Sequence, residues 1–429
     1  MIRKLIVGSI LTLVVSLYVF PISFTFLPSS INSKMIVAVF GILAYVFDSL
    51  RRGSAELSSS VLMAGLLSVI FSVWCLFSIT ASNTPDKTYV MYIVSFATWL
   101  AGAYGVYAAL RLAYEHVDME ILVRYLALAG VFQCVTAVLI DNNAGFAAFV
   151  DRFMDVGQDF YKKGHRLYGI GAALDPAGIR FSVIQVLNAH VFATNTGLRS
   201  NSRKQLFLLL AFSVIIIIGS VISRTTLVGS GLGLLYIGVS LVRLRKGGFV
   251  TLRMLQIYVT FLFALAGVLA FSIYYYYNSM TYHEYLRFGF EAFFNWAETG
   301  EFRTSSGDHL NTMWVWPKDS LTWLIGRGTF GVYQNNTDIG YCNFIFYCGI
   351  IGLVLFSVFF LYCHLVQNRK FKNFRAASLM LVALTFIVWV KVTTDIFFID
   401  ALLFCIAGDD LSDVPDEESE MSAAEPEHG

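Results

Sequence analysis

The sequence predicts an all-α, polytopic integral membrane protein with about eleven or twelve transmembrane helices and one long extracytoplasmic loop that carries short amphipathic helices. The first observation is composition: of 429 residues, 57% are hydrophobic and 14% are charged, and the mean hydropathy is +0.67. A water-soluble domain of this size would not tolerate so apolar a surface. The other two observations are the length of the apolar runs and the distribution of basic residues between them.

The apolar runs are long enough to cross the roughly 30 Å hydrocarbon core of a bilayer, which takes about 20 residues. The eleven predicted spans are Leu5–Leu27, Met35–Leu50, Val61–Thr80, Tyr89–Leu110, Ile121–Ile140, Ala177–Ala193, Leu206–Ile222, Thr225–Val242, Leu255–Tyr275, Ile339–Cys363 and Ala376–Val392. The shorter run Ile396–Ala407 is expected to be a twelfth, because it would return the chain to its starting side. Residues 1–408 thus form the predicted transmembrane domain, and residues 409–429, rich in Glu and Asp, a disordered acidic tail.

Basic residues alternate between the links, as the positive-inside rule describes for short loops. With the N-terminus in the cytoplasm, the inside segments hold Arg3, Lys4, Arg51, Arg52, Arg111, Arg199, Arg203, Lys204, Arg243, Arg245, Lys246, Arg253, Arg369, Lys370, Lys372 and Arg375. The short outside links hold only Lys34, Lys87 and Arg224. This alternation predicts a cytoplasmic N-terminus and places two long segments, 141–176 and 276–338, outside.

Charge and cysteine usage exclude several classes of function. The formal net charge is +1, so the whole-chain balance indicates no polyanionic partner and no nucleic acid. The six cysteines lie almost entirely inside apolar runs, without C-x-x-C spacing and without histidines at ligand spacing. They are expected to be small core residues, and we expect no metal and no cofactor.

The two outside segments are too long to be simple connectors, and loops of this length are usually functional or disordered. The second segment, 276–338, does not have a disordered composition because it is rich in Trp, Phe and Tyr. Its apolar residues recur at helical spacing across Tyr285–Ala297. This pattern predicts one or two amphipathic helices that lie over the outer face.

Arg224 is the first candidate for chemistry. It lies in Ser223-Arg224-Thr225-Thr226, a link too short to be a loop, on the side where few positive charges are expected. A guanidinium can bind a phosphate bidentately in a partly dry site, and the neighbouring hydroxyls suit a phosphate as well. The alternative is an arginine that extends to the lipid headgroups.

A second candidate site joins a basic loop to the start of the sixth run. Asp175 as a cap and Pro176 in the first turn mark a helix N-terminus, which favours anions. Arg166 and Arg180 would add positive charge there. The alternative is that the loop Lys162–Arg166 contacts anionic lipid, for which its two lysines are the better candidates.

The long loop gathers acids, an arginine and a histidine within ten positions, 300–309. Glu301, Arg303 and Asp308 are expected to bind sugar hydroxyls. Asp308 or His309 is a candidate for a base. For each of them the alternative is a plain surface residue.

Further candidates lie towards the end of the loop and in the tenth run. Trp314 and Trp316 are expected to stack on sugar faces, or else to be anchors at headgroup depth. Arg327, flanked by glycines that permit tight turns, is expected to face a ligand. Asp338 lies at the outer mouth of the tenth run, and the glycine pair Gly349-x-x-Gly352 predicts close helix packing.

These features together resemble the O-antigen polymerase and ligase superfamily, which comprises Wzy-type polymerases and lipopolysaccharide O-antigen ligases. The resemblance covers the topology of the whole chain, and its motifs are confined to about 166–180, 223–226 and 323–353. It rests on Ser223-Arg224-Thr225 at a helix junction, the long late loop, Leu324–Gly328, and Gly349-x-x-Gly352.

The resemblance implies an inner-membrane, metal-independent glycosyltransferase that moves a glycan from undecaprenyl pyrophosphate to an acceptor sugar on the periplasmic side. In this family pattern Arg224 contacts the donor pyrophosphate, and Arg166 matches a second, loop arginine. The ligases carry a His followed by a small polar residue where this chain has Asp338 and Ile339, eleven positions before Gly349. The resemblance therefore favours a polymerase over a ligase.

The implied partners are the undecaprenyl-pyrophosphate-linked oligosaccharide and membrane lipid, together with a chain-length regulator and a flippase. Asp338 is the first candidate for the base that orients or deprotonates the acceptor hydroxyl, and Asp308 or Glu301 is the next. Two alternatives stay open: a ligase that joins polymer to lipid A core or to a protein, and a flippase or other transporter. Transporters tend to show internal repeats and mid-span ionisable residues. This sequence shows no internal repeat, and mid-span charges are nearly absent, with Lys391 and Asp395 as the exceptions.

Overall fold

A computed structural model of the chain describes residues 2–28, 31–154, 166–194, 202–246 and 276–407, with scattered positions between 259 and 274. Over these residues the chain is all-helical, and the only extended pairings are two isolated bridges, Ser23 with Asn32 and Phe24 with Met154. The all-α prediction is confirmed for this part of the chain. The ninth predicted span lies almost wholly outside the described residues, as do the acidic tail and most of the basic loop before Arg166.

The described helices follow one another with short links except where the chain is not described. They are α1 (Ile2–Val19), α2 (Ser33–Arg52), α3 (Ser59–Ala81), α4 (Tyr92–Arg111), α5 (Met119–Asn142), α6 (Ala144–Phe153), α7 (Leu174–Thr194), α8 (Ser202–Val214, continued by the π-helical turn Ile215–Gly219 and by Ser220–Ile222), α9 (Thr226–Lys246), α10 (Met280–Gly289), α11 (Glu291–Thr299), α12 (Ser305–Asn311), α13 (Ser320–Ile325), α14 (Val332–Asn335), α15 (Gly340–Lys370), α16 (Arg375–Val388) and α17 (Phe397–Ile406). Helices α10–α14 are short and lie in the segment where the sequence predicts one or two amphipathic helices.

Six of the described helices are long and apolar enough to cross a membrane. They are α2, α3, α4, α5, the stretch Arg203–Ile222 of α8, and α15. Three shorter apolar stretches accompany them, Thr226–Ser240, Arg375–Val388 and Phe397–Ile406. Large apolar side chains such as Leu43 and Val73 are exposed on these helices, as expected where lipid is the solvent. The chain is therefore a multi-pass membrane protein.

Two helices end earlier than the predicted spans. α1 ends at Val19 and not at Leu27, because Pro21 disfavours a helical conformation in the residue before it. α16 ends at Val388, before the predicted end at Val392. The chain after α16 is therefore a link, and it carries Lys391 to the end of the bundle.

α15 is broken at Gly349, which has φ 67° and ψ −174° inside an otherwise helical run. The break leaves backbone carbonyls of α15 without a helical partner, and other parts of the chain bond them. The N–H of Arg327 donates to the carbonyl of Phe346 (2.7 Å). The indole N–H of Trp74 donates to the carbonyl of Cys348 (2.8 Å). A discontinuous helix is tolerated at membrane depth where its backbone groups are satisfied inside the protein, as they are here.

Gly349 is thus a helix break, a role that the predicted packing motif does not include. A Cβ at this position would overlap the backbone of Leu324. We expect Gly349→Ala to lower the free energy of unfolding by about 2–4 kcal/mol, because left-handed backbone strain adds to overpacking. Gly231→Ala in α9 is the matched control, since its Cβ would meet nothing within 4 Å and alanine favours a helix. Denaturant titration in mixed micelles measures both, and equal losses in the two variants would contradict the packing argument.

The two ends of the bundle differ in chemistry. One end, called the loop end here, is covered by α10–α14 and receives the N-termini of α2, α4, α7, α9, α15 and α17. The other, called the opposite end, holds the C-termini of α2, α4 and α15. Helix N-termini carry partial positive charge from unpaired N–H groups. The loop end therefore favours anions.

Candidate functional site

The link between α8 and α9, residues 223–225, is held at the loop end by close packing against α7. A Cβ on Gly178 would overlap the side chains of Ser223 and Thr225, so glycine lets the first turns of α7 touch the link. Ser182, one turn further along α7, donates from Oγ to the carbonyl of Thr225 (2.8 Å). α8 reaches the link through its π-helical turn, a distortion that is frequent at functional sites. The link is therefore a fixed platform.

Arg224 joins this platform to the loop helices. Its Nε donates to the carbonyl of Phe288 (2.7 Å) and its Nη1 to Oγ of Ser306 (3.0 Å). Its Nη2 forms an ion pair with Oε2 of Glu291 (2.6 Å), in which the two side chains are only 15% and 18% exposed. Each Nη atom carries two hydrogens and makes one of these contacts with the described residues, so each has the capacity for a further hydrogen bond to a ligand.

Arg166 lies beside Arg224 on the ring of Phe288. The two guanidinium carbons are 4.8 Å and 4.1 Å from the ring centroid, a cation–π geometry that holds two like charges close together. Burial lowers the pKa of Arg224, while the charge of Glu291 opposes this shift and the charge of Arg166 adds to it. An anion placed beside the two guanidiniums would relieve their mutual repulsion.

Asp175, in the first turn of α7, lies against the same link. Its Oδ1 accepts hydrogen bonds from Oγ1 of Thr225 (2.9 Å) and Oγ of Ser223 (3.3 Å). The same oxygen pairs with Nζ of Lys391 at 2.6 Å, across 216 residues of sequence. No residue in the described ranges donates to Oδ2. One oxygen of this carboxylate is therefore fixed, and the other can accept a proton or a hydrogen bond from a ligand.

A second group of charges completes the loop end. Arg180, further along α7, and Lys34, at the start of α2, both interact electrostatically with Asp395. Oδ1 of Asp395 accepts a hydrogen bond from the N–H of Phe397 (2.9 Å). Desolvation raises the pKa of Asp395, against this hydrogen bond and the two positive charges. The predicted residue Arg180 is thus at the loop end, where it interacts with the carboxylate of Asp395.

Within these two groups of residues, positive charge exceeds negative charge. The cations are Lys34, Arg166, Arg180, Arg224 and Lys391, and the carboxylates are Asp175, Glu291 and Asp395. The excess of two positive charges adds to the positive ends of the helices that terminate there. In the described part of the chain, no group of three or more His, Cys, Asp or Glu side chains is placed to hold a metal ion. The arrangement suits a group with at least two negative charges, such as a pyrophosphate.

The acidic and basic candidates of the long loop lie on its exposed surface. Nη1 of Arg303 pairs with Oε2 of Glu301 (3.0 Å), and Nη2 pairs with Oδ1 of Asp308 (3.2 Å). His309, at the end of α12, is exposed as well. These residues face water and neutralise one another, although α12 itself contacts Arg224.

Trp314 and Trp316 form an aromatic surface together with Trp323. The ring centroids are 5.6 Å apart for the first pair and 5.2 Å for Trp316 and Trp323, which are stacked at 18°. All three rings are about 40% exposed. Exposed indole faces of this kind suit sugar rings, and they suit the headgroup depth of a membrane equally.

Arg327 and Asp338 are both exposed, but they are engaged differently. Arg327 donates from Nε to Thr329 (3.0 Å) and from Nη2 to Asn335 (3.1 Å), so its side chain braces the turn before α14. Asp338 lies just before α15, whose first residue, Gly340, packs against the backbone at the end of α16. Asp338 is therefore at the loop end, on its surface.

Four charged members of the site are absent from the sequence-predicted set. Lys34 is one of the few charges on the short outside links, and that rarity in the sequence could have identified it as a candidate. Lys391 and Asp395 are visible in the sequence only as charges in an apolar region. Glu291 has no local signal, because only the fold brings it to Arg224.

The chain matches no protein-family model, no curated protein and no solved structure. The site is therefore interpreted from its own geometry.

The ion pair between Arg224 and Glu291 is expected to hold the loop closed over the link. Glu291 also accepts hydrogen bonds from the N–H and Oγ of Ser305 (3.0 and 3.1 Å). We expect Glu291→Ala to speed tryptic cleavage after Arg303 by about tenfold or more, since a partly buried charge-assisted contact is worth about 1.5–3 kcal/mol. Glu298→Ala is the control, because Glu298 makes a solvent-exposed pair with Arg287, and a pair of this kind contributes little, so a change of about twofold or less is expected. Mass spectrometry of the fragments measures both rates. Similar rates in the two variants would show that the ion pair between Arg224 and Glu291 does not hold the loop closed.

Proposed function

We propose that this chain is a surface-polysaccharide polymerase of the bacterial cytoplasmic membrane, which builds O-antigen, capsule or exopolysaccharide. It transfers a glycan from undecaprenyl pyrophosphate to an acceptor sugar at the loop end. In this proposal the N-terminus is cytoplasmic, the loop end is periplasmic, and the chain crosses the membrane eleven or twelve times. The six long helices and three shorter apolar stretches supply nine crossings, and α1, α7 and the run 255–275 supply the others.

The observation that carries the proposal is the pair of guanidiniums, Arg166 and Arg224, on one phenylalanine ring. The carboxylate of Asp175 accepts hydrogen bonds from Ser223 and Thr225, the two residues that flank Arg224. Paired arginines in a partly dry site are suited to phosphate oxygens. The positive helix ends around them favour the same ligand. The resemblance to O-antigen polymerases, which includes Ser223-Arg224-Thr225, supports a lipid-linked pyrophosphate as that ligand.

In the proposed reaction the acceptor hydroxyl oxygen bonds to the anomeric carbon of the donor glycan, and the bond from that carbon to the pyrophosphate oxygen breaks. Negative charge develops on the leaving undecaprenyl pyrophosphate, where Arg224 and Arg166 stabilise it. Oδ2 of Asp175 takes the proton of the attacking hydroxyl. Trp314 and Trp316 support the glycan by stacking, and the polyprenyl tail stays in lipid.

A polymerase is preferred to a ligase because Asp338 stands where the ligases carry a His. Asp338 is exposed at the loop end, so it remains a second candidate for the base after Asp175. Asp308 and Glu301 rank lower, since both pair with Arg303 on the surface. A chain-length regulator and a flippase are the expected protein partners of such a polymerase.

A transporter of lipid-linked oligosaccharide is the second candidate, and two observations favour it. α15 is discontinuous at Gly349, as helices of secondary transporters often are near their substrates. Asp400 is fully buried within α17, with His364 at 3.8 Å and Gln367 at 2.8 Å. Buried ionisable groups within membrane helices commonly mark ion or proton pathways.

Deletion of the gene, followed by gel analysis of surface and lipid-linked glycans, separates the candidates. Core capped with a single repeat unit would support the polymerase. Undecaprenyl-linked polymer that accumulates without reaching the core would instead indicate a ligase. Single repeat units trapped on the cytoplasmic side would indicate a transporter.

A further inference from the structure

An elongated cavity of about 980 Å³ lies on the face of the bundle formed by α2, α4 and α17. Its lining follows α4 from Ile93 to Arg111, a rise of eighteen residue steps, which corresponds to about 27 Å of helix. Cavities that hold drug-sized ligands typically measure about 300–1,000 Å³. The cavity is therefore long, and its volume is at the upper end of the range for ligand sites.

The lining of the cavity is polarised along its length. Its charged residues are Arg52, Glu56, Arg111 and Lys370, all at the opposite end of the bundle. Towards the loop end the lining is apolar and aromatic, as at Phe96. Three cations and one acid thus mark one end of a hydrocarbon-lined space.

Hydroxyls lie beside the charged end. The Tyr104 hydroxyl donates to Oδ2 of Asp48 (2.7 Å), which pairs weakly with Arg52 at 4.0 Å. Nη1 of Arg111 donates to the hydroxyl of Tyr107 (3.2 Å). Among the described residues, and counting Asp48 with Glu56, this end of the cavity holds three cations and two acids. Tyrosine hydroxyls at this depth suit a lipid headgroup.

The cavity also adjoins the lipid-facing surface. Ile42 lines it and is 53% exposed, and the next residue, Leu43, is 63% exposed. Its floor is the close contact of α2 with α4, where a Cβ on Gly41 would overlap the backbone of Ala101. A molecule already in the bilayer can therefore enter sideways without crossing water.

We propose that this cavity binds one anionic phospholipid of the surrounding membrane. The phosphate headgroup lies at Arg111, Lys370 and Arg52, and an acyl chain extends along α4 past Ala97. A water-soluble anion would leave the apolar length unfilled, and basic side chains favour an anionic headgroup over a zwitterionic one. In the proposed orientation this end meets the cytoplasmic leaflet. The site is separate from the charges around Arg224.

Native mass spectrometry of the full-length protein, titrated with phosphatidylglycerol or with phosphatidylcholine, tests the proposal. We expect one phosphatidylglycerol to bind about tenfold more tightly than phosphatidylcholine. The double variant Arg111→Gln/Lys370→Gln is expected to lose this preference, since each cation near a headgroup is worth on the order of fivefold. Equal binding of the two lipids by the unaltered protein would overturn the proposal, as would tighter binding of a polyprenyl phosphate.

Two further variants separate a specific site from general charge effects. Ala97 is exposed and lines the cavity, so Ala97→Trp is expected to fill the acyl path and weaken binding of the first phosphatidylglycerol without a change in charge. Arg124 lies near the same end of the bundle on α5 and does not line the cavity, so Arg124→Gln is expected to leave binding unchanged. Unchanged binding in Ala97→Trp, or an equal loss in Arg124→Gln and the double variant, would contradict a lipid site in this cavity.

Discussion

Replacing Arg224 by alanine is expected to abolish chain extension while the protein stays in the membrane. The variant loses the N–H groups that face the developing charge of the leaving pyrophosphate, and the loss of one such fixed donor costs about 100- to 1,000-fold in rate. A deletion strain complemented with the variant would show single repeat units instead of a ladder on a glycan gel. Immunoblotting of membranes reports insertion. A normal polymer length in this variant would exclude Arg224 from the chemistry.

Arg224 also anchors the loop, so its role as a cation in the reaction must be separated from its role in holding the loop closed. Glu291→Ala removes the ion pair that holds the loop closed and leaves the guanidinium of Arg224 in place. Arg224→Lys keeps a positive charge without the planar fork that bonds two oxygens at once. We expect polymer length to decrease in the order wild type, Glu291→Ala, Arg224→Lys and Arg224→Ala. Equal loss in Glu291→Ala and Arg224→Ala would attribute the effect to loop closure alone.

The all-helical, multi-pass class follows from the sequence because lipid leaves few alternatives. A backbone in hydrocarbon must satisfy its own hydrogen bonds, so a long apolar run becomes a helix almost regardless of its detailed sequence. The exceptions lie where backbone chemistry overrides hydropathy. Pro21 ends α1 early, and Gly349 breaks α15 inside an unbroken apolar run. Hydropathy has no means of showing either.

The candidate site was accessible from the sequence only where its signal is local. Arg224 stands out because a cation interrupts two apolar runs, and Asp175 with Pro176 marks a helix start. The pairing of Asp175 with Lys391 spans 216 residues and depends on how α7 packs against α16, which one sequence does not reveal. The acids of the loop are a case of local pairing: Glu301 and Asp308 lie close to Arg303 in sequence, and both pair with it at the surface.

Asp175 is the acid that the geometry favours as the base, and Asp175→Asn is expected to lower the rate of glycan transfer by about 100-fold or more. The amide keeps the shape of the side chain and can still accept hydrogen bonds at one oxygen from Thr225 and Ser223, so the packing of α7 against the link is retained. It cannot take the proton of the acceptor hydroxyl. In vitro transfer between lipid-linked repeat units, with kcat and KM measured separately, should show the loss in kcat.

The pairing of Asp175 with Lys391 offers a structural explanation that the experiment must exclude. Thr225→Val removes one of the three donors to Oδ1 and leaves the carboxylate intact, so a loss of less than about tenfold is expected, in line with one hydrogen bond to a charged group. Asp338→Asn tests the other candidate base at the loop end. If Asp338→Asn costs 100-fold in kcat and Asp175→Asn costs less than threefold, the base is Asp338. Asp175 then serves only to hold Lys391 beside the link, where the ammonium can still bind the pyrophosphate.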